Sequence, residues 1–158
     1  MSSDDSVLWR GTATNPIASA AAVVLLIITI GAAASGRVSS AAIALVGTLA
    51  ATPFTQVRVR ITNTHVHVAL GPWGWPNESH ALSDIEWVEA EHVGRMDVRL
   101  GVGVRGSNRR LSGRAYLLRP GPAVRFQGRM GHRLTVTVDG AEGAVATIEQ
   151  LIDPPDDT

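Results

Sequence analysis

The chain of 158 residues contains no cysteine, and all 14 of its Lys or Arg positions are arginine. Without cysteine it has no disulfide, no thiolate nucleophile and no cysteine-based zinc site. Without lysine it has neither a Schiff-base lysine nor a phosphate-loop lysine. The arginines are balanced by 14 Asp and Glu residues. The chain therefore has no net electrostatic field that would favour nucleic acid, and a nucleic acid is not expected as a partner.

Two apolar runs without a charged residue lie almost back to back near the start of the chain. They are IASAAAVVLLIITIGAAAS and VSSAAIALVGTLAATPF, separated by Gly36 and Arg37. A helix rises 1.5 Å per residue, so the first run spans about 28 Å, close to the hydrocarbon thickness of a bilayer. The second run is shorter and more polar. The pattern predicts a transmembrane helical hairpin over residues 16–54, with small residues such as Gly31 and Gly47 allowing close helix approach.

Two alternatives compete with the hairpin. A cleaved signal peptide is disfavoured, because the preceding segment is acidic and a second apolar run follows at once. Two buried core helices are the other alternative. For a hairpin, arginine placement sets the orientation. Arg10 precedes the runs and Arg58 and Arg60 follow them, whereas only Arg37 lies in the turn. This predicts a multi-pass protein of the cell membrane with both termini in the cytoplasm, residues 1–15 forming a cytoplasmic N-terminal segment.

From residue 56 onward the apolar residues alternate with polar ones, which is typical of β-strands. Residues 57–61 and 64–70 are predicted to form a hairpin. Further strands are expected at 81–93, where a helix is the alternative, at 98–106, where an irregular edge is the alternative, and at 134–138. Segments 115–118 and 124–127 flank the turn RPGP and are predicted to form a second hairpin.

A short amphipathic helix is predicted after the last strand. Asp139 has the spacing of a helix N-cap, followed by Glu142 three residues later. Val145, Ile148 and Leu151 then line one face. Two prolines end the helix, and residues 153–158 are predicted to be a disordered acidic tail.

The order of these segments carries a family resemblance. The loop LGPWGWP after the second strand, the segment ALSDIEWVEA, and the ending of strand, RPGPA, strand and helix resemble the bacterial pleckstrin-homology-like domains attached to membrane helices in actinobacterial proteins. The resemblance implies an α+β, mainly β domain over residues 55–152, with about seven antiparallel strands in a bent sheet and a C-terminal capping helix. It also implies no enzymatic activity and no cofactor. Eukaryotic members bind phosphoinositides through a basic first loop, but residues 62–64 are short and uncharged.

Two groups of side chains are candidates for contact with an anionic lipid or a protein partner. The first is a cluster of arginines in a loop, each worth about 1 kcal/mol if it faces anionic lipid; the alternative is a solvated loop. The second is a pair of tryptophans in a rigid Gly/Pro loop, which either enter the membrane interface or pack over the open end of the sheet. These residues are Arg105, Arg109, Arg110, Arg114, Trp73 and Trp75. Trp9 and Phe54 are also expected as interfacial anchors.

His65 and His67 lie two residues apart on a predicted strand and therefore point to the same face. That spacing suits a metal, but no spacing identifies a third ligand. Solvent-facing histidines are the favoured interpretation, so no catalytic, cofactor or metal residue is predicted. The sequence predicts a membrane-anchored binding or scaffolding module and no enzyme. The alternatives are an accessory structural subunit of a membrane complex, a homo-oligomer, or a His-based metal enzyme.

Overall fold

The computed structural model describes residues 6–75, 77–95, 98, 103–105, 113–129 and 131–153, with only the backbone for 103–105. The strands are β1 (Val7–Thr14), β2 (Gln56–Thr62), β3 (His65–Leu70), β4 (Asn77–Ala81), β5 (Ile85–Val93), β6 (Gly103–Arg105), β7 (Arg114–Leu117), β8 (Gly121–Gly128) and β9 (Arg133–Thr137). The helices are α1 (Pro16–Ala34), α2 (Val38–Ala51) and α3 (Ala141–Ile152), with 3₁₀ turns at Thr52–Phe54 and Leu82–Asp84.

The strands form two sheets. The first has the order β1-β2-β3-β4 and is antiparallel throughout. The second has the order β5-β8-β9-β7-β6, in which only the β7–β9 pair is parallel. The predicted β2–β3 hairpin and the C-terminal helix are confirmed. The count differs from the prediction of about seven antiparallel strands, because the described residues contain nine strands and one parallel pair.

Strand β1 lies where the sequence analysis expected only a segment preceding the domain. Its side chains alternate in exposure, and Ala13 is buried in the core. It pairs with β2, from Thr14 opposite Gln56 to Val7 opposite Thr62. The two apolar helices separate β1 from β2 in the sequence, so no local sequence pattern predicts that these strands pair. The domain is therefore built from chain on both sides of the helix pair and does not begin at residue 55.

Strand β8 corrects the second predicted hairpin. It pairs with β5 on one edge and with β9 on the other, which leaves no edge for β7. Strand β7 instead joins the far edge of β9. The predicted cap of α3 is also wrong. Gly140 occupies the N-cap position with a positive φ of 73°, and Asp139 forms an ion pair with Arg119.

The main core lies between the two sheets and under α3. The apolar face predicted for α3 packs against it, with Ile148 fully buried. Trp9 and Phe54, expected as interfacial anchors, are partly buried and pack against this core. Trp9 lies so close to Gly11 that any side chain at that position would overlap its ring.

Candidate functional site

The helix pair α1–α2 is inserted between two strands that pair with each other. Thr14 at the end of β1 lies opposite Gln56 at the start of β2. Just beyond them, the Asn15 amide donates to the Thr55 carbonyl at 2.8 Å. Both ends of the helix pair therefore leave from the same end of the first sheet, here called the helix end.

Asn15 joins β1 to α1 rigidly. Its side chain is buried, and its Oδ1 accepts hydrogen bonds from the amides of Ile17 and Ala18 at 3.0 and 3.1 Å. Pro16 occupies the first helical position, where its fixed φ suits a helix start. The Asn15 side chain caps α1 while its backbone amide extends the β1–β2 pairing, so the sheet fixes the direction of α1.

The outer sides of the helix pair are uncovered. Helix α1 has no buried residue, and α2 has only Ala44. Two buried core helices, the alternative considered from the sequence, are therefore excluded. Among the described residues, α1 is the one helix long and apolar enough to cross a membrane, and the segment 38–54 is a shorter apolar helix.

Several hydroxyl groups within the helix pair are satisfied internally. Ser19, Thr29 and Thr48 each donate to the carbonyl four residues earlier, at 2.8 to 2.9 Å. Such bonds leave no donor that needs water, as an apolar environment requires. These three hydroxyl groups are therefore compatible with an apolar environment.

The loop that joins β3 to β4 also lies at the helix end. The Gly71 amide donates to the Gln56 carbonyl at 2.7 Å. Trp73 and Trp75 are 68% and 73% exposed. Neither tryptophan therefore packs over the open end of the sheet, which was one of the two expectations for them.

The outward face of the first sheet is basic. Arg10, Arg60 and His67 stand side by side across β1, β2 and β3. Arg58 and His65 flank this row along their strands. The outward positions of the four strands, all of them described, carry no Asp or Glu. Sequence reasoning missed this face, because β1 had not been assigned to the sheet.

The two strand histidines do not form a metal site with any described residue. The rings of His65 and His67 stack with centroids 5.8 Å apart, and His65 Nδ1 lies 2.9 Å from the Thr64 hydroxyl. Within the described part of the chain, no three His, Asp or Glu side chains are grouped so that they could hold a metal ion.

The predicted arginine cluster is only partly within the described residues. Arg109 and Arg110 lie outside them, and Arg105 is described by its backbone alone, at the end of β6. Arg114 begins β7, and its Nη1 lies 2.6 Å from Glu78 Oε1 on β4. Arg114 therefore forms an ion pair between the two sheets, a role that the sequence did not predict.

A cleft of about 640 Å³ lies between β4 and the second sheet. Ile85, Phe126 and Leu134 form its apolar floor, and Arg129 and Arg133 lie at its mouth. Glu78 and His80 also line it, since they occupy the inward positions of β4, opposite Val68 and Val66. The His80 ring meets the Phe126 ring edge-on, with centroids 5.5 Å apart.

Glu78 is the electrostatic centre of this cleft. Burial works against its ionisation, but hydrogen bonds from Tyr116 and Arg114 and the Arg114 charge outweigh that effect and lower its pKa. Burial, together with the hydrogen bond to Glu78 and its charge, raises the pKa of Tyr116. At neutral pH Glu78 is therefore a charged acceptor and Tyr116 a neutral donor. The pair links β4 to β7 across the two sheets.

Comparison with known proteins adds no relative. No protein-family model, curated protein or solved structure matches the chain. Three features of the chain's own geometry therefore carry the functional argument: the uncovered helix pair, the surfaces at its base, and the cleft.

Proposed function

We propose that the protein is a membrane-anchored binding module of pleckstrin-homology-like type, with the helix pair in the bilayer and the two-sheet domain at the cytoplasmic surface. The observation that carries this proposal is the insertion of an uncovered, apolar helix pair between the paired strands β1 and β2. Exposed apolar surface of that extent is typical of contact with lipid or another protein.

The pairing of β1 with β2 supports an anchor with two passes. The 19 residues of α1 span about 28 Å, close to the hydrocarbon thickness. Strands β1 and β2 pair with each other and so lie on the same side of the membrane. A chain that crosses the membrane through α1 therefore has to cross back through segment 38–54. A signal peptide fits poorly, because cleavage after α1 would remove β1 from its sheet.

The arginines support the proposed orientation. Arg10, Arg58 and Arg60 lie in the strands on the domain side, and Arg37 lies in the turn between α1 and α2. Cytoplasmic segments next to membrane helices are enriched in such charges. We therefore place the domain and both flanking chain segments in the cytoplasm.

The strand order supports the proposed family. Strands β1 to β4 form one antiparallel sheet, β5, β8 and β9 form an antiparallel set, and α3 follows. The mostly antiparallel sheets followed by a C-terminal helix agree with what the resemblance implies, whereas the nine described strands exceed the seven expected and β1 precedes the helix pair.

The cleft is the proposed binding site. Ligand sites are typically concave and apolar, with a few polar groups that fix orientation. Ile85, Phe126 and Leu134 supply the floor, and Arg129 and Arg133 supply charge at the mouth. The pKa of Glu78 is lowered and the pKa of Tyr116 is raised, so both pKa values lie further from neutral pH. Such groups suit binding better than proton transfer.

The test is co-purification of the full chain from its own membranes after gentle solubilisation, with mass spectrometry of proteins and lipids. Arg129→Gln with Arg133→Gln removes two charges at the cleft. The matched control, Arg10→Gln with Arg60→Gln, removes two charges from the outward face of the first sheet. The proposal expects a recovered ligand that is lost in the cleft variant and kept in the control. A ligand recovered equally with both variants contradicts the cleft as the site.

The arginine cluster supplies a separate arm of that experiment. Arg109→Gln with Arg110→Gln tests whether an anionic lipid is recruited by these residues, as proposed from the sequence. Anionic lipid recovered with the full chain and lost in this variant supports recruitment. Unchanged lipid recovery removes lipid binding by these two arginines and leaves the cleft proposal standing.

One observation favours a second function, an accessory subunit of a membrane complex. A side chain added at Gly31 of α1 would meet no atom within 4 Å, so this small residue does not pack against α2. Small residues on an open helix face allow close approach of another helix. Crosslinking in intact membranes distinguishes the two functions, because a subunit or homo-oligomer gives one product of fixed stoichiometry.

A further inference from the structure

We infer that the loop carrying Trp73 and Trp75 inserts into the lipid interface beside the helix pair and sets the orientation of the domain on the bilayer. This inference rests on the proposed membrane anchor and adds a second attachment point. The helix pair is one attachment, and a domain held only there could still tilt about it.

The loop lies against the end of the helix pair. A side chain at Gly71 would come within 3.0 Å of Pro53 Cα, in the 3₁₀ turn that follows α2. The Gly71 amide is also bonded to Gln56, the first residue after that turn to enter the sheet. The loop therefore begins at the level where the chain passes from helix to sheet, which is the interface level for a membrane anchor.

The loop that starts at Gly71 carries two exposed tryptophans. Trp73 and Trp75 are both largely exposed, whereas Trp9 packs against the core. Tryptophan is enriched at membrane interfaces, where its ring meets the acyl boundary and its N–H meets the headgroups. An exposed pair next to an apolar helix anchor therefore fits a lipid interface.

The first part of the loop, residues 71–74, is held by hydrogen bonds. Gly71 and Gly74 both have a φ of 69°, a conformation that favours glycine, and the Gly74 amide bonds to the Gly71 carbonyl at 3.3 Å. The Arg58 guanidinium donates to the Gly71 carbonyl at 3.0 Å and to the Pro72 carbonyl. A rigid loop presents both rings without an ordering cost at insertion.

The continuity with the helix pair favours lipid over a protein partner. The polar junction of Asn15 and Thr55 marks where the helix pair meets the sheet, and the loop touches the same end through Pro53. Any protein that covered the tryptophans would have to occupy the space that the bilayer fills around the anchor. We therefore assign the lipid interface as the occupant.

The experiment uses tryptophan quenching in the full chain reconstituted into phosphatidylcholine vesicles with brominated acyl chains. Trp9→Phe with Trp87→Phe leaves only the loop tryptophans of the four in the chain. Trp73→Phe with Trp75→Phe leaves the other two. We expect marked quenching and a shift of emission to shorter wavelength for the first protein, and loss of both for the second.

Insertion of the helix pair is measured independently in the same vesicles. Ser35→Cys, in the turn between α1 and α2, reports whether a membrane-impermeant maleimide reaches the turn from outside or only after lysis. An inserted hairpin with unquenched loop tryptophans overturns this inference and leaves the proposed anchor intact. A helix pair that fails to insert overturns both.

A matched pair of variants tests the role of Arg58. Arg58→Gln removes the two bonds to the loop, while Arg60→Gln removes the same charge two residues further along β2. We expect loss of quenching in the first variant only. Equal losses in both variants would assign the effect to charge and overturn the role of the Arg58 hydrogen bonds in holding the loop.

Discussion

Replacing Glu78 with glutamine removes the negative charge that joins β4 to β7 and keeps the size of the side chain. Glu78 accepts from the Arg114 guanidinium at 2.6 Å, and the neighbouring Tyr116 hydroxyl helps to lower its pKa. The Arg114 side chain is 67% exposed, so that ion pair contributes about 0–1 kcal/mol. Tyr116 is buried, and the interaction of a buried hydroxyl with a charged acceptor contributes at most about 1.5–3 kcal/mol.

We therefore expect Glu78→Gln to lower the free energy of unfolding by up to about 2 kcal/mol, mainly through the lost interaction of the charge with the Tyr116 hydroxyl. For a chain of this size, that loss lowers Tm by roughly 4–8 °C. The assay is thermal unfolding of the full chain in detergent micelles, followed by circular dichroism. Arg114→Gln is the control and should cost less than half as much. Equal costs for the two variants, or no cost for Glu78→Gln, would refute the assignment.

The same residue predicts the acid limb of the stability curve. The pKa of Glu78 is lowered in the folded protein from its ordinary value of 4.5. Its contribution is therefore complete above pH 4.5 and is lost as pH falls through the lower folded pKa. The difference in stability between the wild type and Glu78→Gln should shrink as the pH is lowered below 4.5. A difference that stays constant at acid pH contradicts the lowered pKa.

Two further substitutions test the packing around β1. Gly11→Ala places a methyl group over the Trp9 ring and 2.7 Å from Val138 Cγ2. Thermal unfolding should therefore show that the free energy of unfolding falls by about 1–3 kcal/mol. Gly31→Ala is the matched control, because that position of α1 faces open space, and it should not destabilise the protein. Asn15→Ala removes both capping bonds at the start of α1 and should lower the free energy of unfolding by about 1–2 kcal/mol. The same thermal unfolding measurement checks this, and an unchanged Tm would mean that the cap does not hold the junction.

Local patterns were enough to predict part of the fold. The alternation of Val57, Val59 and Ile61 predicted a strand with one buried face, and the apolar spacing around Ile148 predicted the face of α3. Each of these signals lies within a single element. The length and composition of α1 likewise follow from its own residues.

Long-range pairing could not be predicted in the same way. Strand β1 pairs with β2 from the other side of the helix pair. Both edges of β8 are occupied by β5 and β9, and β7 pairs instead with β9, in parallel. The cleft depends on these pairings, since Glu78 on β4 meets Tyr116 and Arg114 on β7 only once the sheets face each other. The exposure of Trp73 and Trp75 also had to come from the packed structure.

The most direct test of the central proposal, a membrane hairpin inserted into a sheet, is the side of the bilayer that each part occupies. The chain has no cysteine, so Ser6→Cys, Ser35→Cys and Gln150→Cys each provide a single label at an exposed position. In sealed membrane vesicles, a membrane-impermeant maleimide should label residues 6 and 150 from the same side and residue 35 from the opposite side. Labelling of residues 6 and 150 from opposite sides, or of all three from one side, would contradict the account.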